Sequence, residues 1–131
     1  RYDFRPPGIA DYRIEAVEVK PRAVIAVVAP VDRGGDWELP AHLLVYVIFT
    51  RVRLDLRHAR FLPGTSEIEI VAMMGEVKIT VPHGVRVESD DFKIRRMTRA
   101  VPRDDAPCVR IVGHRIGSQV KIKVVDPDDD R

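Results

Sequence analysis

Apolar and polar residues follow a short pattern that recurs along this chain. In residues 68–82, IEIVAMMGEVKITVP, an apolar run leads into a glycine-containing kink and then into a segment that alternates apolar with charged or polar residues. Residues 44–56, LVYVIFTRVRLDL, and residues 109–124, VRIVGHRIGSQVKIKV, show the same order. Alternation with a period of two is typical of half-buried β-strands. The pattern therefore predicts a chain built from repeated two-strand units.

The units align on a valine at the start of the second strand. Val31, Val52, Val77 and Val120 occupy this position, and Met97 takes it in a fourth, degraded unit. Repeats of about 20 to 25 residues are typical of solenoids, in which each unit buries its apolar face by stacking on its neighbours. We expect an all-β fold, a short β-solenoid or β-helix-like stack of about five coils. A β-sandwich, which also uses regularly spaced short strands, is the alternative.

Three segments of different composition divide the chain. Residues 1–22 are expected to form an N-terminal extension that carries an edge strand, IEAVEVK at 14–20, ended by Pro21. Residues 23–125 form the repeat β-solenoid domain, and residues 126–131, DPDDDR, form an acidic disordered tail. The first residue is Arg1 rather than Met, which suggests a fragment of a longer protein.

Apolar positions of the units predict the hydrophobic core. The run AVIAVVA at 23–29 is apolar on both faces, so we expect it to be buried on both sides. The single tryptophan, Trp37, is expected to cover an open edge of the core. The other expected core residues are Val47, Phe49, Val52, Leu54, Ile70, Met73, Val77, Ile79, Ile111 and Ile122.

The units resemble the repeats of the LiaF-type cell wall-active antibiotic response family. The similar phrases are YVIFTRVRLDL at 46–56 and VAMMGEVKITVPHGVRVE at 71–88, preceded by the segment from Trp37 to Pro40, and the resemblance extends from Ala23 to Val124. This family has a β-solenoid-like C-terminal domain, often attached to a membrane or helical segment. Some of its members restrain a membrane sensor kinase. The resemblance implies a regulatory domain in cell-envelope stress signalling, without enzymatic activity.

No motif predicts catalysis, a metal or a cofactor. The single cysteine, Cys108, is expected to be a spare thiol in a loop, because no base and orienting partner accompany it in sequence. The four histidines do not show metal-ligand spacing. The longest apolar runs are far shorter than the roughly 18 residues that cross a bilayer, so no transmembrane segment is predicted.

A stripe of basic residues is the candidate functional site. If the units stack in register, Arg53, Lys78 and Lys121 occupy equivalent outward positions, with Thr98 at that place in the fourth unit. Like charges about 4.8 Å apart are mildly unfavourable unless an anionic group bridges them. The ordinary interpretation of the stripe is a solvated, salt-screened face, and a site for an anionic partner is the functional alternative. No specific nucleic-acid partner is expected, because aromatic residues do not interleave with the bases and the net charge is only +2.

The predicted function is that of a non-catalytic regulatory or interaction domain. A self-assembling scaffold of the filament type and an anionic-ligand-binding module are the alternatives. We expect a protein partner, either a membrane sensor or a second copy of the chain, and a location in the cytoplasm or at the cytoplasmic membrane.

The open ends of a solenoid bear on its assembly, because unpaired strand edges invite pairing with another chain. Residues 14–20 together with Trp37 are expected to cap the first coil. Lys121 and Lys123, followed by the acidic tail, are expected to protect the last one. These two covers predict a monomer or a discrete dimer rather than a filament.

Overall fold

A computed structural model describes residues 23–27 and 29–126 of this chain. The predicted edge strand at 14–20 and the tail beyond Asp126 lie outside the described residues. Across the described residues there are 12 strands and no helix, and hence no helix that could cross a membrane. The strands are β1 (Ala23–Val27), β2 (Val31–Arg33), β3 (Glu38–Leu39), β4 (His42–Ile48), β5 (Arg51–Asp55), β6 (Arg60–Phe61), β7 (Thr65–Met73), β8 (Glu76–Pro82), β9 (Arg86–Glu88), β10 (Ile94–Arg96), β11 (Cys108–Ile116) and β12 (Gln119–Val125).

The strands form two five-stranded sheets and one small two-stranded sheet. The first strand of each unit belongs to the first sheet and the second strand to the second sheet, so the chain alternates between the two. Every strand pair is parallel, as stacked coils require. The predicted all-β solenoid-like stack is confirmed. The β-sandwich alternative is excluded, because its sheets are antiparallel.

The predicted register is correct for four of the five units. Val31 pairs with Val52, Val52 with Val77, and Val77 with Val120. The alignment of Met97 with these valines was wrong. Ile94 pairs with Ile122, and the backbone N–H of Met97 donates to the Val124 carbonyl at 2.8 Å.

Counting back from the Ile94–Ile122 pair places Phe92, not Met97, level with Val120. Phe92 is partly buried against the core. The charged residues on either side of Phe92 obscured its equivalence to the aligned valines.

The units do not stack in their order along the chain. The first sheet has the order β1, β4, β7, β11, β9, and the second has the matching order β2, β5, β8, β12, β10. The last unit, β11 and β12, therefore lies between the third unit and the fourth. Strand length explains this order. The last unit pairs with the third over nine and seven residues, but with the fourth over only three residues in each sheet. The long pairing satisfies more backbone donors and acceptors.

The coil order determines which strands form the open edge at the C-terminal end of the stack. The expectation that Lys121 and Lys123 protect the last open edge was wrong, because β12 has β8 on one side and β10 on the other. The outermost strands at this end are β9 and β10, which are three residues long and carry charged side chains. Short, charged edge strands discourage pairing with a further chain.

The core lies between the two five-stranded sheets and consists of aliphatic side chains. All the predicted core residues are buried except Phe49 and Met73, which are 62% and 42% exposed. Met73 was assigned to the wrong face, because Ala72 takes the inward position beside it. The expectation for residues 23–29 was also wrong. In β1, Val24 and Ala26 are buried while Ile25 and Val27 are exposed.

The kink between the paired strands is a left-handed corner. Phe49, Met74 and Gly117 occupy equivalent places in three stacked units with φ of 54°, 52° and 58°. The N–H of Phe49 donates to the Met73 carbonyl at 3.1 Å, and that of Met74 donates to the Ile116 carbonyl at 2.8 Å. These bonds stack the corners and hold Phe49 and Met74 in a conformation that costs a non-glycine residue about 1 kcal/mol. Both side chains point outward as a result.

The packing of this corner predicts that adding a methyl group at Gly75 destabilises the fold. A Cβ added there would lie 2.5 Å from the Thr50 carbonyl oxygen and 2.8 Å from Val47 Cγ1. We expect Gly75→Ala to lower the free energy of unfolding by about 1–3 kcal/mol in urea denaturation, because the crowded atoms include backbone. Gly84→Ala is the matched control, since nothing lies within 4 Å of its added Cβ. Equal stability of the two variants would contradict the described stacking of corners.

Candidate functional site

The three residues predicted to form a basic stripe lie in adjacent coils at the same register. Arg53 pairs with Lys78, and Lys78 pairs with Lys121, on the outer side of the second sheet. The prediction for the fourth unit was wrong, because Thr98 lies beyond β10 and its hydroxyl donates to Asp126 Oδ1 at 2.7 Å. Lys93, the residue before β10, takes the place beside Lys121. The stripe therefore gains a fourth cation.

A second basic pair lies two residues further along the same strands. Lys123 of β12 pairs with Arg95 of β10. We call the combined surface the basic face and define it as Arg53, Lys78, Lys93, Arg95, Lys121 and Lys123. Sequence analysis missed Lys93 and Arg95 because the fourth unit was aligned on Met97.

A shallow groove runs across the basic face where the fourth unit meets the last. Its volume is about 410 Å³, and five members of the basic face line it. The groove exists because β10 pairs only with Ile122–Val124, whereas β12 begins at Gln119. The start of β12 thus lacks a strand neighbour on this side among the described residues. Val120 and Ile122 form part of the groove's lining.

Positive charge on this face is partly compensated within the described residues, and Asp32 of β2 lies in register with Arg53. Lys121 Nζ lies 3.5 Å from Glu76 Oε2, and both side chains are largely solvent-accessible. Arg53, Lys78, Lys93 and Arg95 have no carboxylate of another described residue within ion-pair distance. Cations on neighbouring strands repel each other, and two charges about 4 Å apart would do so by roughly 1 kcal/mol even at the dielectric constant of water. An anion in the groove would relieve this repulsion.

Asp55 lies in register with Thr80, Lys123 and Arg95 but does not neutralise the basic face. The Arg57 side chain donates to this carboxylate from Nε, 3.0 Å from Oδ1 and 3.2 Å from Oδ2, and from Nη2, 2.7 Å from Oδ2. The Arg57 side-chain hydrogen bond is the main reason that the pKa of Asp55 lies below its ordinary value. The Asp55 carbonyl also accepts the indole N–H of Trp37 at 3.2 Å. Asp55 therefore acts as a structural link between the first two coils.

The outer side of the first sheet is a second surface, which sequence analysis missed. Its outward residues near the ends of the strands form two mostly apolar columns, with Phe49 at the adjoining corner. The columns are Ile25, Tyr46, Val71 and His114, and Val27, Ile48, Met73 and Ile116. We call this surface the apolar face. It comprises Ile25, Val27, Tyr46, Phe49, Met73 and Ile116. The signal was present in the sequence, because strands of the first sheet such as AVIAV lack the alternation that β5, β8 and β12 show.

No cluster of three or more histidine, cysteine, aspartate or glutamate side chains within residues 23–27 and 29–126 could hold a metal ion. His42 lies between two carboxylates, 3.1 Å from Glu67 and 3.4 Å from Glu69. Cys108 does not lie in a loop as predicted but in β11, where it is buried. Burial raises the pKa of the Cys108 thiol, with a contribution from the charge of Glu88. The thiol is therefore held in its less nucleophilic, protonated form.

Comparison with known proteins identifies relatives without an assigned function. The chain is 30% identical over 105 residues to the uncharacterized protein MT0994 of Mycobacterium tuberculosis, and 29% identical over 105 residues to the uncharacterized protein Rv0966c of the same species. Each match covers 76% of this chain and 52% of the relative. The chain thus spans about half the length of the curated relatives it matches.

The other two comparisons found nothing. No protein-family model matches the chain, and no solved structure matches it. The resemblance to LiaF-type repeats therefore remains a hypothesis that rests on the repeat phrases alone.

The Asp55–Arg57 pair predicts how stability depends on pH. The folded state lowers the pKa of Asp55, so this group stabilises the fold above its unfolded pKa of about 3.9 and loses that contribution as the pH falls through the lower, folded pKa. Between pH 5 and pH 2, we expect the melting temperature of Asp55→Asn to fall less than that of the wild type. Asp104→Asn, in an exposed loop, is the matched control and should follow the wild type. Parallel curves for Asp55→Asn and the wild type would contradict the assignment.

Proposed function

We propose that this chain is a non-catalytic interaction domain that binds an acidic segment of a protein partner at its basic face. The observation that supports it is the basic face, in which five of the six cations line one groove. Four of the six have no carboxylate of another described residue within ion-pair distance. A rigid set of parallel strands fixes these side chains at regular intervals, so little backbone ordering is required on binding.

The arrangement fits an extended acidic chain better than a single small anion. Cations along each column are about 4.8 Å apart, and the two columns are separated by two residues of strand, or about 6.6 Å. A segment with several carboxylates would contact successive coils at once. Val120 lines the groove and is only partly buried, so an apolar side chain between the acids would pack against it.

A regulatory role in cell-envelope stress signalling is the narrower proposal. It is supported by the LiaF-type repeat phrases and is compatible with a domain that acts by binding. An acidic segment of a membrane sensor would be the partner in that case. A filament-type scaffold is less well supported, because β9 and β10 end the stack with short charged strands.

The proposed function predicts that loss of charge from the groove weakens binding of an acidic peptide. We expect a fluorescein-labelled decaglutamate peptide to bind the chain in fluorescence anisotropy, with an affinity that falls as salt is added. The double variant Lys78→Glu, Lys93→Glu should raise the Kd by about tenfold or more, because two favourable contacts become repulsive.

The matched control carries the same change of net charge elsewhere. Arg60→Glu, Arg103→Glu alters two exposed arginines outside the basic face. This variant should change the Kd by less than about threefold, as expected for long-range electrostatics alone. Equal weakening by the two double variants, or no binding by the wild type at low salt, would overturn the proposal.

A further inference from the structure

The side chains directed between the two five-stranded sheets are aliphatic almost throughout the described strands. Three arginines also take inward register positions, and they are Arg33, Arg96 and Arg115. Each of them lies beside an aliphatic residue that is at most 2% exposed. These register partners are Leu54, Val124 and Ala72, respectively. A cation at such a position conflicts with an apolar core.

All three arginines lie where the stack of coils ends. Arg33 belongs to β2 and Arg96 to β10, the outermost strands of the second sheet among the described residues. Arg115 belongs to β11, which pairs with β9 only over Cys108–Arg110, so no described strand covers Arg115 on that side. The described coils between these ends carry no charge at an inward position.

The arginines contact neutral groups of their own coils. The Arg33 guanidinium lies 5.5 Å from the centre of the Trp37 ring. Nη2 of Arg96 and Nη1 of Arg115 each donate to a nearby backbone carbonyl, at 3.0 Å and 3.2 Å. No carboxylate of another described residue lies within ion-pair distance of the three. Their charges are therefore not neutralised within the described part of the chain.

Side chains also close the backbone edge near Arg115. Ser89 Oγ donates to the Ile111 carbonyl at 2.6 Å, and the Gly113 N–H donates to Asp91 Oδ2 at 3.0 Å. Both backbone groups lie beyond the three residues of β11 that pair with β9. The two side chains thus occupy groups that an added strand would use.

We infer that Arg33, Arg96 and Arg115 prevent copies of this chain from stacking end to end into a longer solenoid. A coil of a second copy added at either end would cover an inward arginine with an apolar surface. Burying a charge without a partner is strongly unfavourable. Inward-pointing charges are one of the devices that protect edge strands from pairing with another chain.

End-to-end stacking would also bring like charges together. One inward row of the second sheet consists of Arg33, Leu54, Ile79, Ile122 and Ile94. A second copy added in register beyond β10 would therefore place its Arg33 beside Ile94, two residues from Arg96. Two cations would then lie in one apolar core, and their repulsion adds to the cost of burial.

The first test replaces each arginine with the residue beside it in register, giving Arg33→Leu, Arg96→Val, Arg115→Ala. Sedimentation equilibrium of the full chain measures the mean mass against concentration. For the wild type we expect the mass to level off at that of a monomer or a discrete dimer. The apolar triple variant should form larger species, reversible on dilution, with a mean mass more than about twice that of the wild type, because open heterologous stacking does not close.

The matched control removes the same positive charge from exposed positions outside the basic face. Arg51→Ala, Arg60→Leu, Arg103→Val changes three arginines that are exposed and do not face the core. This variant should keep the wild-type mass. Growth equal to that of the apolar triple variant would show that net charge, not inward position, limits association, and would overturn the inference.

A second variant separates the inward charge from the local contacts of the arginines. Arg33→Glu, Arg96→Glu, Arg115→Glu loses the same contacts with neutral groups but keeps a charge at each inward position. It should therefore keep the wild-type mass. Association as strong as that of the apolar triple variant would show that the lost contacts, and not the lost charges, cause stacking.

Circular dichroism of every variant checks that the sheets are retained. The inference is overturned by a wild type that forms long polymers, or by a folded apolar triple variant that keeps the wild-type mass. If the triple variant loses its sheets, Arg96→Val alone tests the C-terminal end of the stack. It should associate more than the wild type, and an unchanged mass would equally overturn the inference.

Discussion

The fold depends on in-register parallel pairing between the strands of neighbouring coils. Valine lies on valine and isoleucine on isoleucine through successive coils, as the series Val31, Val52, Val77 and Val120 shows. Parallel pairing also satisfies the backbone of each coil through its two neighbours. The coil order follows from the length of the pairing. The last unit forms a long pairing with the third unit, so the short fourth unit lies at the end of the stack. The groove follows from this order, since the short β10 covers only part of β12.

The same pairing arranges like side chains in columns on the outside, which gives the two sheets different surfaces. On the second sheet the outward residues are charged, so the columns bring cations together and form the basic face. On the first sheet several outward residues are apolar, so the columns form an apolar face. In both cases successive residues of a column lie on strands about 4.8 Å apart. The domain therefore presents one surface rich in cations and another with many exposed apolar side chains.

Sequence patterns predicted the fold class and the register of four units. The alternation in β5, β8 and β12 shows which residues of each strand face the core, and so how the strands align. They failed where local patterning is weak. The fourth unit has three-residue strands within a basic run, so its alignment on Met97 was unconstrained, and the roles of Lys93 and Arg95 were missed. The coil order was not accessible either, since it depends on competition between distant strands. The exposure of Ile25 and Phe49 was missed because an apolar run was equated with burial.

The position of the last unit is the central claim, because the groove and the composition of the basic face depend on it. Nuclear Overhauser effects between backbone protons measure it directly. The structure predicts contacts from Ile122 to both Ile79 and Ile94, which are its neighbours in the second sheet. It predicts none between Ile79 and Ile94, which lie two strands or about 9.6 Å apart. Contacts between Ile79 and Ile94, with none between Ile79 and Ile122, would show that the units stack in chain order and would contradict this account.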